Sequence, residues 1–199
     1  MKYTQIPTTT FETLQLNAGV ILSSFDPSTG SIPSNAIIGA TTGGVSFKDT
    51  VDYIDFGDDI DNCPKNMKEL KKLDSHTVTM SGTFVSVSAS TAKLLASAAD
   101  LATNKITPRN DLLQTDFSDI WWVGDYSDVN EDSGTGQNAS TAGFIAIKLI
   151  NALNTGGFQL QTADKGKGTF AFEFTGHYSM STPSVVPYEL YVKAGVAAG

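Results

Sequence analysis

The sequence predicts a mainly β protein: a β-sandwich or barrel with one flanking α-helix and a long charged loop between early strands. Two observations predict this class. Apolar and polar residues alternate in several short segments, and only one segment carries apolar residues at helical spacing. Hydrophobic residues make up 40% of the 199 residues, which is enough for the core of one well-packed domain.

Composition divides the chain into three parts. We expect an extended N-terminal arm over residues 1–11, which are mostly polar. A folded β-domain is expected over residues 12–193, and a tail of small residues over residues 194–199. The elements that define the fold should therefore all lie in the central part.

The first two predicted strands follow the N-terminal arm. Apolar and polar side chains alternate over residues 14–22, which is typical of a strand. A connection rich in turn-forming residues comes next. Strand character resumes from Ile37 to Phe47, where the adjacent Gly43 and Gly44 predict a bend or bulge.

One strand and the only predicted helix occupy the middle of the chain. From His76 to Val87 the apolar side chains fall on one face and hydroxyl side chains on the other, which predicts a half-buried strand. Ser88 or Ser90 can cap a helix over residues 91–102, where Leu and Ala recur at helical spacing. A single short helix has to pack on a sheet.

The C-terminal half predicts further strands separated by turns. An acidic, Gly-rich loop is expected over residues 126–140. The segment after the turn ADKGKG alternates most clearly, and we expect it to form a hairpin with Phe158–Thr162 across that turn. The predicted strands are Phe117–Asp125, Gly143–Leu153, Phe158–Thr162, residues 169–180 and Tyr188–Lys193.

Large aromatic side chains are the candidate anchors of the core or of a subunit interface. Adjacent tryptophans in one strand point to opposite faces of a sheet, so both faces of that strand should be covered. The phenylalanines of the last long strand share one face. The anchors are Trp121, Trp122, Phe170, Phe172 and Phe174.

The segment from Asp49 to Asp74 sorts its charges by sign. Its first half carries six aspartates and no basic residue, and its second half carries four lysines against Glu69 and Asp74. Such a segment can bridge copies of one protein, because each copy offers both partners of a head-to-tail contact. The candidate contacts between neighbouring copies are Asp58, Asp59, Asp61, Lys65, Lys68, Lys71 and Lys72.

Several classes of function are disfavoured by the composition. The net charge of −8 argues against a protein that grips nucleic acid over its whole surface. Cys63 is the single cysteine, so a cysteine-based metal cluster within one chain is excluded. No stretch approaches the ~20 apolar residues of a membrane span, and no pattern indicates a catalytic site. We expect no enzyme activity, no cofactor, no metal site and no membrane partner.

Several segments follow one another in a recognisable order: IIGATTGGVSF, DFGDDIDNCPKNMKELKKLDS, HTVTMSGTFV, KITPRNDL, FSDIWWVGDYSD, GFIAIKLINALNTGGFQLQTADKGKGTFAFEFTGHYSM and VPYELYVK. Together they resemble the major tail proteins, the tail-tube subunits, of long-tailed bacteriophages and related prophages. The resemblance covers most of the chain, from about residue 12 to residue 193, and includes no catalytic signature.

The resemblance implies a β-sandwich of the tail-tube type that assembles into stacked hexameric rings around a lumen. Phage DNA passes through that lumen into the host cell without sequence-specific binding. The segment 49–74 would be the loop that bridges successive rings. Implied partners are further copies of the chain and other tail proteins such as the tape measure, tail terminator and distal tail protein. The subunit would be made in the bacterial cytoplasm and end in the virion tail.

Two alternatives stay open on the sequence. The first is a tube subunit of a contractile tail, a phage-tail-like bacteriocin or a type VI secretion system, all of which share the tube architecture. The second is an adhesive or carbohydrate-binding β-sandwich. In that case Trp121 and Trp122 would form a calcium-assisted sugar site with the acidic loops.

Overall fold

The computed structural model describes residues 14–126 and 143–193. Over these residues the chain is mainly β, and the predicted fold class is confirmed. The predicted arm over residues 1–11, the tail over 194–199 and most of the acidic loop after Asp125 lie outside the described residues. The elements are β1 (Gln15–Leu22), β2 (Ile37–Gly39), β3 (Thr41–Asp55), β4 (Lys71–Phe84), α1 (Ala89–Ala96), β5 (Ala99–Ala102), β6 (Lys105–Pro108), a 3₁₀ helix (Gln114–Asp116), β7 (Ser118–Tyr126), β8 (Phe144–Asn154), β9 (Phe170–Thr175) and β10 (Tyr188–Lys193).

The main sheet is antiparallel and runs in the order β2-β1-β7-β8-β9-β4-β3, with β10 paired to β8. Strand β8 belongs to two layers, because residues 144–152 pair with β7 whereas Leu153 and Asn154 pair with β9. We call β2, β1, β7, β8 and β10 the front layer, and β9, β4 and β3 the back layer. Strands β5 and β6 form a separate hairpin.

The main core lies between the two layers. Rings of the back layer stack on one another, with Phe84 4.5 Å from Phe172 and Phe172 5.1 Å from Phe174 between ring centroids. Each large apolar side chain buried in this way stabilises the fold by ~1.5–3 kcal/mol. The buried cluster comprises Ile21, Val78, Met80, Phe84, Leu95, Ile120, Ile147, Leu149, Ala152, Phe172 and Phe174.

A second cluster covers the outer face of the front layer. Phe25, in the connection after β1, packs edge-on against Trp121 at 5.6 Å and against Phe144 at 5.2 Å. Trp121 is therefore buried on this face, while Trp122 packs against the main core. The prediction that the adjacent tryptophans point to opposite covered faces is confirmed.

The bulge predicted at the double glycine is also confirmed. The pairing of β3 with β4 shifts register between Thr42 and Val45. Gly43 and Gly44 both adopt positive φ, at 76° and 81°, a conformation that favours glycine.

The helix predicted over residues 91–102 is wrong at both ends. Helix α1 covers Ala89–Ala96, and Ser88 caps it by accepting a 3.2 Å hydrogen bond from the Thr91 N–H. Ser97 ends it with a φ of 63° and donates its hydroxyl to the Asn154 carbonyl. This contact with β8 turns the chain, so that residues 99–102 form β5 instead of a further helical turn.

The predicted hairpin between residues 158–162 and 169–180 is mostly absent from the ladder. A single bridge joins Gln161 to Thr169, and β9 ends at Thr175. The Gly176 N–H still donates to the Val78 carbonyl of β4, but the next N–H, of His177, donates to the Ile150 carbonyl of β8, so the pairing with β4 ends there. The sequence therefore continues to alternate between polar and apolar residues beyond Thr175, although β9 ends at that residue.

Candidate assembly surface

A two-stranded arm extends from the back layer. Strands β3 and β4 pair from Thr41–Phe84 as far as Asp55–Lys71, but β4 pairs with β9 only over residues 79–84. At ~3.3 Å per residue, the stretch of β4 from Lys71 to Thr77 reaches roughly 23 Å beyond the three-stranded part. The segment 49–74, predicted as one long loop, is thus strand at both ends, over residues 49–55 and 71–74, and residues 56–70 connect these strands. We call residues 50–77 the arm and residues 56–70 its tip.

The prediction of a loop is wrong at the two ends of the segment, because the arm has no buried face. Polar and apolar residues alternate visibly only where one face of a strand meets a core. In the arm, both members of the Tyr53–Leu73 pair are exposed. The pattern that identified the other strands is therefore missing here.

A partly buried group of polar side chains braces the root of the arm. His76 Nδ1 lies 2.9 Å from Asp49 Oδ2, and their side chains are 14% and 17% exposed. The His76 N–H donates to the Tyr178 hydroxyl at 3.0 Å. Burial and the nearby Asp49 raise the pKa of Tyr188 on β10 above its usual 10. These contacts fix the direction in which the arm leaves the body.

The tip is an ordered series of turns. The Asp55 carboxylate accepts hydrogen bonds from the Gly57 N–H and the Asn66 N–H, each at 2.9 Å. These two bonds lower the pKa of Asp55 below 3.8. Asn66 has a φ of 63°, and the Phe56 N–H donates to the Leu70 carbonyl at 3.0 Å. The Asp55 carboxylate thus connects Gly57, at the start of the tip, with Asn66, near its end.

Some of the predicted inter-copy charges pair within the chain. Lys65 lies 3.5 Å from Asp58, and Lys68 lies 3.5 Å from the neighbouring Glu69. Lys71 stands opposite Asp55 in the ladder and its ammonium lies 4.9 Å from the centre of the Tyr53 ring. Exposed pairs of this kind contribute little to stability.

Other predicted charges are left available to a neighbour. Asp59, Asp61 and Lys72 are exposed. None of them forms an ion pair with another described residue. Contact between these charges and a neighbouring copy stays a prediction.

Sequence reasoning missed the apolar residues of the arm because it attended to charge. Contiguous exposed apolar groups on a soluble protein mark a surface that binds something. The signal was present in the letters YIDF and in two further apolar residues of the tip. The exposed apolar residues of the arm are Tyr53, Ile54, Phe56, Ile60, Met67 and Leu73.

The predicted aromatic anchors lie in or against the core of a single copy. Phe172 and Phe174 are buried in the main core, and Phe170 packs against it. Trp121 is buried in the second cluster, and Trp122 is half-buried with its indole N–H donated to the Ala18 carbonyl at 3.0 Å. A sugar ring could not stack on Trp121, because Phe25 and Tyr191 already pack against that ring.

One open cleft is lined mainly by neutral side chains. It has a volume of about 380 Å³ and lies between the β1–β2 connection and helix α1. Neutral hydroxyl and apolar side chains line it, and its one carboxylate, Asp119, is held by Lys148 at 2.9 Å. Among residues 14–126 and 143–193, no group of three or more His, Cys, Asp or Glu side chains could hold a metal ion. The described helices include none that is long and apolar enough to cross a membrane.

No protein-family model matches the sequence, and a search of curated proteins found no match. Among solved structures, the chain is similar to one from the virion of a native gene transfer agent particle, at 9% sequence identity and a TM-score of 0.42. That alignment covers 89% of this chain and 96% of the other.

Proposed function

We propose that this chain is a structural virion protein, a tail-tube subunit of a long-tailed bacteriophage. It assembles with copies of itself into hexameric rings, and the rings stack into the hollow tube through which DNA passes. The observation that carries the proposal is the arm. The arm is a two-stranded ribbon with an ordered tip, and its apolar side chains are exposed to solvent in a single copy. Contact with another copy would bury them.

Exposed apolar residues outside the arm support the same proposal. Nineteen large apolar side chains are exposed over the described residues, and thirteen of these lie outside the arm. Only 17% of the chain is charged. Burying such a surface requires little desolvation of charge. Leu190 and Val192, on the edge strand β10, are more than half exposed. Subunit contacts around a ring would cover residues of this kind.

The edges of the sheet point to assembly as well. In the strand order of the main sheet, β3 is the edge strand on one side and β2 is the edge strand on the other. A long unpaired edge is a template for pairing with another chain. If the edge strands of neighbouring copies pair around a closed ring, no edge strand is left unpaired. Stacked rings then repeat one heterologous contact along the tube axis.

The outer face of the back layer suits the wall of a DNA conduit. It presents hydroxyl side chains on neighbouring strands, including Thr50 opposite Thr77 and Ser46 opposite Ser81. Glu173 on the adjacent β9 and Lys48 opposite Thr79 are both exposed on this face, so their charges offset each other. A face that is close to neutral does not hold phosphates, and the net charge of −8 repels the duplex. The tape measure, terminator and distal tail proteins are the proposed further partners.

The proposal is tested by sedimentation of the purified protein over a range of concentrations. The wild type is expected to shift from a small species to large assemblies. A Phe56→Ser and Ile60→Ser double variant should lose the largest assemblies, since both side chains are exposed on the tip. Phe56→Leu, which keeps an apolar side chain, serves as the matched control and should assemble. A wild type that sediments as a monomer at every concentration would overturn the proposal.

A further inference from the structure

The loop between β8 and β9, residues 155–169, lies at the opposite end of the back layer from the arm. Phe170, at the start of β9, pairs with Phe84, at the end of β4 that is farthest from the arm, and Thr175 pairs with Thr79. The bridge between Gln161 and Thr169 carries the loop further past that end. The arm leaves the sheet in the other direction. Each copy therefore offers two different ends along one axis.

The β8–β9 loop carries an apolar centre beside unpaired basic charge. Phe158 and Leu160 are 48% and 53% exposed, and Phe158 lies 5.9 Å from the Phe170 ring. Lys165 and Lys167 are exposed, and neither forms an ion pair with another described residue. One acid, Asp164, lies beside them. The loop therefore has a net positive charge.

The start of the loop is held firmly by β8. The buried Asn154 donates its side-chain amide to the Gly157 carbonyl at 2.9 Å. The same amide donates to the Leu95 carbonyl of α1 at 2.6 Å. A surface that is already ordered loses less conformational entropy when it binds.

The tip of the arm has the complementary surface. Phe56, Ile60 and Met67 are exposed there. Asp59 and Asp61 extend from the same turns without a partner among the described residues. An apolar centre with a polar rim is the usual anatomy of a protein interface.

We propose that the tip of one copy docks on the β8–β9 loop of the next copy in the stack. The apolar side chains of the two surfaces pack together, and Asp59 and Asp61 face Lys165 and Lys167. This assignment rests on the proposed tube function and names the acceptor for the arm. The contact is heterologous, so each copy donates its tip at one end and accepts a tip at the other.

Charge selects this partner over a contact between two tips. The tip carries four acids and two lysines, so two tips in contact would bring like charges together. The loop of the same copy is out of reach, because the register places it at the far end of the sheet. The β8–β9 loop of a neighbouring copy is apolar and carries positive charge, opposite to the tip. Stacking of copies along one axis brings this loop near the tip.

The test is chemical cross-linking between two marked copies. Cys63 is the single cysteine, so a Cys63→Ser background is free of thiols. One variant in that background carries Lys65→Cys on the tip, where the native side chain is 79% exposed. A second, tagged variant carries Ala163→Cys on the β8–β9 loop, at an exposed position to which the proposal assigns no contact. The two are mixed, assembled and treated with a short bis-maleimide.

The proposal predicts heterodimers between the tip variant and the loop variant. As a position control, Ala163→Cys is replaced by Lys48→Cys, which lies mid-strand on the outer face of β3, opposite Thr79. This pair should give no heterodimers. Tubes that yield only homodimers or monomers would overturn the acceptor assignment and leave the tube function standing. Absence of both tubes and heterodimers would overturn both proposals.

Discussion

Replacing Asn154 by alanine should destabilise the fold by about 3 kcal/mol. Its side chain is 2% exposed and joins three elements. It donates to the Leu95 carbonyl at 2.6 Å and to the Gly157 carbonyl at 2.9 Å, and it accepts from the Glu173 N–H at 2.9 Å. Each hydrogen bond contributes about 1 kcal/mol net, and each partner left unpaired in the interior adds a cost.

The loss is measurable by thermal and urea denaturation. For a chain of this size, a loss of about 3 kcal/mol lowers the melting temperature by roughly 6 to 12 °C. Gln159→Ala is the control, because it removes one exposed hydrogen bond of 2.9 Å to the Gly156 carbonyl. That variant should stay within about 0.5 kcal/mol of the wild type. An Asn154→Ala protein as stable as the control would refute the reasoning.

Three further predictions concern charge. Burial raises the pKa of Asp116, but bonds from a backbone N–H and from Arg109 outweigh it and hold this pKa below 3.8. The stabilisation is therefore complete above about pH 4 and lost below it, and Asp116→Asn should flatten the acid limb of a stability profile; an unchanged limb would contradict this. Asp55→Ala should speed hydrogen exchange of the tip amides and leave the core unchanged, whereas unchanged exchange at the tip would show that Asp55 does not order it. Reversing Lys71 and Lys72 to glutamate should weaken stacking of rings, and tubes of normal length in electron micrographs would count against it.

Strands that border the core were predictable from the sequence, because burial of one face imposes the alternation of polar and apolar residues. This holds for β1, the inner half of β4 and β9. The bulge at Gly43 was predictable as well, since the backbone there needs positive φ. In each case the residues that predict the element lie within the element itself.

The errors came from tertiary contacts. Apolar residues continue at helical spacing after Ser97, but that residue turns to meet Asn154 on β8, and nothing local encodes the meeting. The β8–β9 connection has strand-like letters yet lacks a continuous ladder partner beyond Gln161.

The candidate surface was recognised only in part. The sorted charges of residues 49–74 identified the arm as unusual. Its pairing as a ribbon and the exposure of Phe56 and Ile60 were missed, because neither face of the arm is buried in a single copy.

The most direct test of the central claim is negative-stain electron microscopy of the concentrated wild-type protein. The account predicts hollow tubes with a regular axial repeat of one subunit layer and six-fold rings in end view. Solid filaments without a lumen, or isolated particles of one subunit at every concentration, would contradict it.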